Sequence, residues 1–161
     1  MLSLPQAKSN IFFTSFVPTM RPTTFTDYSL RTLIYLALDE TRLATIPGVA
    51  TAFGISSNHL MKVVNRLARA GVIDSRRGKG GGIRLARLPE EINLGQIVRI
   101  CEGGYPAAEC LLANSDECCI APACRLGKIF GRAFDAFNAV LDEYTLADLI
   151  ANRDALKRIL F

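Results

Sequence analysis

Apolar residues fall into a few runs of clear period, and those runs set the expected architecture. Leu30, Leu33, Ile34 and Ala37 recur at steps of three and four and predict a helix to about Asp39. Thr26-Asp27 supplies a hydroxyl and a carboxylate at its expected start, where free amides need acceptors. A second helix is expected over Ile46–Phe53, closed by Gly54, a residue suited to a left-handed cap. Ser56-Ser57 opens a third, with Leu60, Val63, Val64, Leu67 and Ala70 on one face and Gly71 as its stop. Two amphipathic helices around a short glycine turn form a helix-turn-helix. Val72–Ser75 and Ile83–Ala86 then read as strands around the glycine-rich loop Arg76–Gly82, hence a β-hairpin.

The expected fold is therefore mainly α with a small β-hairpin wing, a winged helix-turn-helix. Leu94–Arg99 predicts one more short helix. Beyond Cys124, Leu126, Ile129, Phe130, Ala133, Phe134, Phe137, Val140, Leu141 and Tyr144 form a stripe too broad and aromatic for a lone surface helix, and a long C-terminal dimerisation helix is expected there. Asn152–Phe161 predicts a last helix. Residues 1–19 carry no usable period and read as a disordered extension ahead of Met20. The division expected is that extension at 1–19, a winged helix-turn-helix at 20–100, a cysteine-bearing cluster-binding loop at 101–124, and the dimerisation and C-terminal helices at 125–161.

Charge sharpens this picture. From Ser56 to Arg87 there are eight basic residues against the single acid Asp74, a local +7 inside a chain of net charge +4. A basic block in an otherwise acidic protein is the footprint of nucleic-acid binding. The N-terminal part of the second helix of a helix-turn-helix enters the major groove, which makes Ser56, Ser57, Asn58, His59, Lys62 and Arg66 candidate DNA contacts. In the loop, Arg76, Arg77 and Lys79 stand among glycines that permit close approach to a sugar–phosphate backbone, with Arg84 on the following strand. A nucleotide-cradling loop is excluded, since no Gly-Lys-Ser/Thr follows and the loop joins two strands.

All five cysteines, Cys101, Cys110, Cys118, Cys119 and Cys124, lie within 24 residues, and the sequence carries neither a convincing secretion signal nor a membrane-length apolar run. This pattern points to a reducing cytoplasm and a metal site instead of a disulfide framework. Cys110, Cys118 and Cys124, separated by seven and five residues, are suited to a soft metal or an iron–sulfur cluster, whereas structural zinc lacks a fourth ligand and a CxxC pair. A thiol switch at Cys118 and Cys119 fits the same spacing. Cys101 ends an apolar helix and reads as core. An enzyme is not expected: the single histidine lies in the recognition helix, and no paired carboxylates mark a pocket. A thiol- or cluster-dependent redox enzyme is the rival from another class.

Several segments, Phe25–Arg31, Asn58–Asn65, Arg77–Leu85, Pro122–Leu126 and Tyr144–Leu149, closely resemble the NsrR group of nitric-oxide-sensing repressors, in the winged-helix family that also contains IscR. The resemblance covers Met20–Phe161. It implies a homodimer that binds operator DNA while an iron–sulfur cluster, 4Fe–4S in preference to 2Fe–2S, is intact, and that releases it when nitric oxide attacks. It places the ligands at Cys110, Cys118 and Cys124, with Asp27 of the partner subunit as fourth. The Cys110–Cys118 gap is longer than is usual in that family, and Cys119 adjoins Cys118, so Cys119 is an alternative ligand. An IscR-like iron- or redox-responsive regulator is the alternative within the family.

Overall fold

The computed structural model describes residues 22–39, 42–103, 120 and 123–161. The expected extension at 1–19, and Cys110, Cys118 and Cys119, lie outside the described residues.

Helix α1 spans Thr24–Leu38, and its cap is Thr23, whose hydroxyl accepts from the Thr26 amide. The helix thus starts earlier than the expected Thr26-Asp27. Thr26 is instead a fully buried first-turn residue whose hydroxyl donates to Glu102 Oε1 at 2.5 Å. Glu102, distant in sequence, holds both threonines at this helix start, accepting from the Thr23 amide and from both hydroxyls. Helix α2, Ile46–Phe53, is capped by Thr45 and closed by Gly54 at φ 63. Helix α3, Ser57–Arg69, follows a three-residue turn and gives way at Gly71, φ 67.

Strands β1 (Ile73–Arg76) and β2 (Gly82–Leu85) pair antiparallel, with Asp74 opposite Arg84 and Arg76 opposite Gly82. A one-residue bridge adds Ala44 to the outer edge of β2 through two backbone hydrogen bonds with Ile83, at 2.9 and 2.8 Å. Gly82 is required at this seam, because a side chain would meet the Ala44 carbonyl. A 3-10 turn, Pro89–Glu91, leads into α4, Leu94–Glu102, which ends at Gly103 with φ 66. After the cysteine segment come α5 (Leu126–Asp142), α6 (Leu146–Leu149) and α7 (Arg153–Leu160).

One core joins these elements. Leu33 and Leu38 of α1, Val49 of α2, Leu60, Val63 and Leu67 of α3, Ile83 of β2 and Ile97 of α4 are all buried. Leu146 and Ile150 complete it from the far end of the chain, so the short C-terminal helix α6 is part of the winged domain's packing. Full burial of an aliphatic side chain contributes about 1.5–3 kcal/mol, enough for each of these positions to matter individually. Helix α5 differs: none of its residues is buried. It is fastened at its C-terminal end by the Arg99–Asp142 ion pair (2.8 and 3.0 Å) and by Asn93, which donates to the carbonyls of Asp142 and Tyr144.

Candidate nucleic-acid interface and cysteine segment

Leu60, Val63, Val64 and Leu67 bury one face of α3 against the core, and that packing dictates what faces outward. Asn58, Lys62, Asn65 and Arg69 recur at helical spacing on the exposed side. Asn65 and Arg69 are additions to the residues expected from the sequence, and their place on the Asn58–Lys62 stripe is the signal that identifies them. Ser56 caps the helix without a side-chain bond to its amides, and Ser57 opens the first turn. Both hydroxyls are exposed and available to a ligand at the N-terminus. His59 lies on the flank of the helix, its ring 6.2 Å from that of Tyr28 on α1.

The wing presents Arg76, Arg77 and Lys79 in the open. Gly78 and Gly80 hold its tip at φ 93 and 79, and the Gly81 amide closes the turn on the Gly78 carbonyl at 3.0 Å. A side chain at Gly81 would collide with the Arg76 carbonyl, so the tip is narrow by necessity. Arg84 is engaged within the hairpin, where its guanidinium donates to Asp74 Oδ2 at 3.1 and 3.3 Å. Asp74 is thereby neutralised at the base of the wing. Arg66 is also engaged: Nε and Nη2 both donate to the Ile100 carbonyl, at 3.1 and 2.9 Å.

Two of the four candidate cluster ligands are described. Asp27 lies in the first turn of α1 with its carboxylate half-exposed and held by Arg31, one helical turn on, at 2.9 Å. A carboxylate in a first helical turn is favoured by the helix dipole, and half of its surface remains open to another chain. Cys124 sits just ahead of α5, half-buried, and its Sγ accepts from the Leu126 amide at 3.4 Å. An amide donated to sulfur is the kind of bond that tunes iron–sulfur sites. The described part of that set is one sulfur and one oxygen, donor types that an iron site accepts. Among the described residues, no three histidine, cysteine or acidic side chains converge on a metal position. Cys101 faces inward among the core's partners, where burial pushes its thiol pKa up, opposed by a hydrogen bond with Ser29.

A profile described as Rrf2, iron-dependent transcriptional regulator, matches residues 22–152. The chain belongs to the Rrf2 family. The HTH-type transcriptional regulator NsrR of Bacillus subtilis strain 168 is 45% identical to it over 142 residues, 88% of this chain and 97% of the relative. The structure of CymR, the global cysteine regulator of B. subtilis, superposes with a TM-score of 0.62 at 29% identity, covering 83% of this chain and 98% of CymR. T. potens IscR shares the fold, with a TM-score of 0.65 at 24% identity over 83% of this chain and 88% of its own. This Rrf2 protein is a DNA-binding transcriptional regulator of the NsrR type and not an enzyme. Its winged helix and its long helix α5 match the solved regulators of the family. Among the described residues, no helix is long and apolar enough to cross a membrane.

Proposed function

We propose that this Rrf2 regulator is a cytoplasmic homodimeric repressor that grips operator DNA with α3 and the wing and releases it in response to nitric oxide. The observation that carries the DNA half is the exposed stripe Asn58, Lys62, Asn65 and Arg69 beside a wing whose Arg76, Arg77 and Lys79 are open to solvent. Amides and cations on one helix face suit base edges and phosphates of a major groove, and a narrow cationic wing suits the adjacent minor groove. Dimerisation is supported by α5, where Leu126, Ile129, Phe137 and Val140 lie exposed on one stripe that Tyr144, just past the helix, extends. Such a patch on a helix outside the core marks a protein interface.

The sensing half rests on Cys110, Cys118 and Cys124 with Asp27 of the partner subunit as the ligand set. A cluster held there would supply the iron that nitric oxide attacks. The chain's own residues do the rest. Asp27 offers an oxygen, a more labile ligand than thiolate, from a helix whose next residue, Tyr28, reaches His59 on α3. Cys124 anchors the start of the dimer helix. Ligation across the two subunits would fix the separation of the two recognition helices, to which a dimer reading two half-sites is sensitive. Visible absorption of anaerobically purified protein tests the sensing half. A cysteinyl iron–sulfur band that nitric oxide bleaches, and that Cys110→Ala, Cys118→Ala and Cys124→Ala each abolish, is expected. A colourless wild type overturns it, and retention of the band in Cys118→Ala assigns that ligand to Cys119.

A further inference from the structure

The last turn of α4 is where the reading helix and the cysteine segment are physically joined. Ile100 lies in that turn, and its carbonyl is one of the four at a helix C-terminus that lack an intrahelical amide. Arg66 of α3, 34 residues away in sequence, spends two guanidinium donors on it. A cation is favoured there by the negative end of the helix dipole. Two residues on, the Glu102 carboxylate accepts from the Thr23 amide at 2.8 Å and from the Thr26 hydroxyl, which ties the same turn to the start of α1. Gly103 follows, and then the segment that carries Cys110.

We propose that Arg66 is a strut and not a DNA contact: by holding the Ile100 carbonyl it sets the tilt of the recognition helix from the turn at which the cysteine segment leaves the winged domain. The assignment deepens the proposed function and rests on α3 being the helix that reads DNA. Geometry favours the strut over a phosphate contact. Arg66 is exposed, but it stands two turns along the helix from His59, whose ring neighbours Tyr28 of α1, and to one side of the stripe Asn58, Lys62, Asn65 and Arg69. Its charge also reaches Cys101 in that turn. A displacement of Ile100–Gly103 is thereby delivered to α3 without any bond being made or broken at the DNA.

Arg66→Ala and Arg66→Lys in the full-length dimer test the strut, using a duplex that the wild-type protein selects from a randomised library. Affinity is measured by fluorescence anisotropy across a sodium chloride series, and hydrogen exchange is followed at residues 100–103 in the absence of DNA. The strut predicts that Arg66→Ala weakens binding about tenfold at every salt concentration, equivalent to ~1.4 kcal/mol. The slope of log affinity against log salt stays at the wild-type value, exchange at 100–103 accelerates, and lysine, lacking the paired donors, recovers only part of the affinity. A lost phosphate contact would instead lower the slope by about 0.9 per contact. Such a fall, or unchanged affinity and unchanged exchange, overturns the strut; should the alanine variant not fold, Arg66→Lys gives the same readings. A wild-type chain that selects no duplex defeats the DNA reading itself, while exchange at 100–103 still reports on the strut.

Discussion

Cys101 and Asp27 show how a side chain's surroundings separate candidates that a sequence lists together. Cys101 is one of five clustered cysteines, yet it packs against the core with burial holding its thiol protonated. A protonated thiol is a poor metal ligand and a poor nucleophile. Cys101→Ala is therefore expected to leave the visible absorption of the purified protein intact while costing on the order of 1 kcal/mol in denaturant stability, as loss of one small buried group does. Loss of the absorption would add Cys101 to the ligand set. Asp27, in contrast, is half-exposed, and among the described residues the Arg31 ion pair is what competes for it. An exposed pair of this kind is worth about 0–1 kcal/mol, little enough for a metal to displace. Asp27→Ala should shift the visible spectrum and blunt the response to nitric oxide with little change in stability; an unchanged spectrum would reduce Asp27 to a helix-terminal charge.

Elements differ in how far the sequence alone specifies them, and the reasons are local or long-range chemistry. Helices α2 and α3 were legible nearly to the residue, because Gly54 and Gly71 take up left-handed conformations that punctuate the chain. The hairpin was legible from its glycines, with strands shifted by about one residue. The start of α1 was not, since Thr23 and Thr26 are both of a type that caps and Glu102, which holds them, is distant in sequence. Ala44 as a third sheet member and the four-residue α6 carry no period at all. Arg66 and Arg84 looked like free cations because their partners, Ile100 and Asp74, are chosen by tertiary structure. For α5, the pattern foretold an apolar stripe, and the structure leaves that stripe exposed, with Ile129 61% and Val140 55% accessible. Replacing Ile129 with Asp should yield monomers by sedimentation while circular dichroism keeps its helical signal. A variant that remains dimeric would move the interface elsewhere.

At the scale of the whole chain, α4 is the hub, bonded through Glu102 to α1, through Ile100 to α3 and through Arg99 to α5. The C-terminal segment then returns Leu146, fully buried, to the same core that supports the recognition helix. Leu146→Ala should therefore destabilise the winged domain by about 2–5 kcal/mol, read from the urea midpoint, as core leucines do. A change near zero would mean that residues after α5 are a mere appendage. Because α5 and α3 are fastened to one hub, the change in ligation proposed above would have a short route to both. The most direct test is the affinity of the anaerobically purified dimer for its selected duplex before and after stoichiometric nitric oxide, at fixed salt. The expected result is a fall of at least about tenfold, a coupling of ~1.4 kcal/mol or more. Equal affinity in the two states would contradict the account.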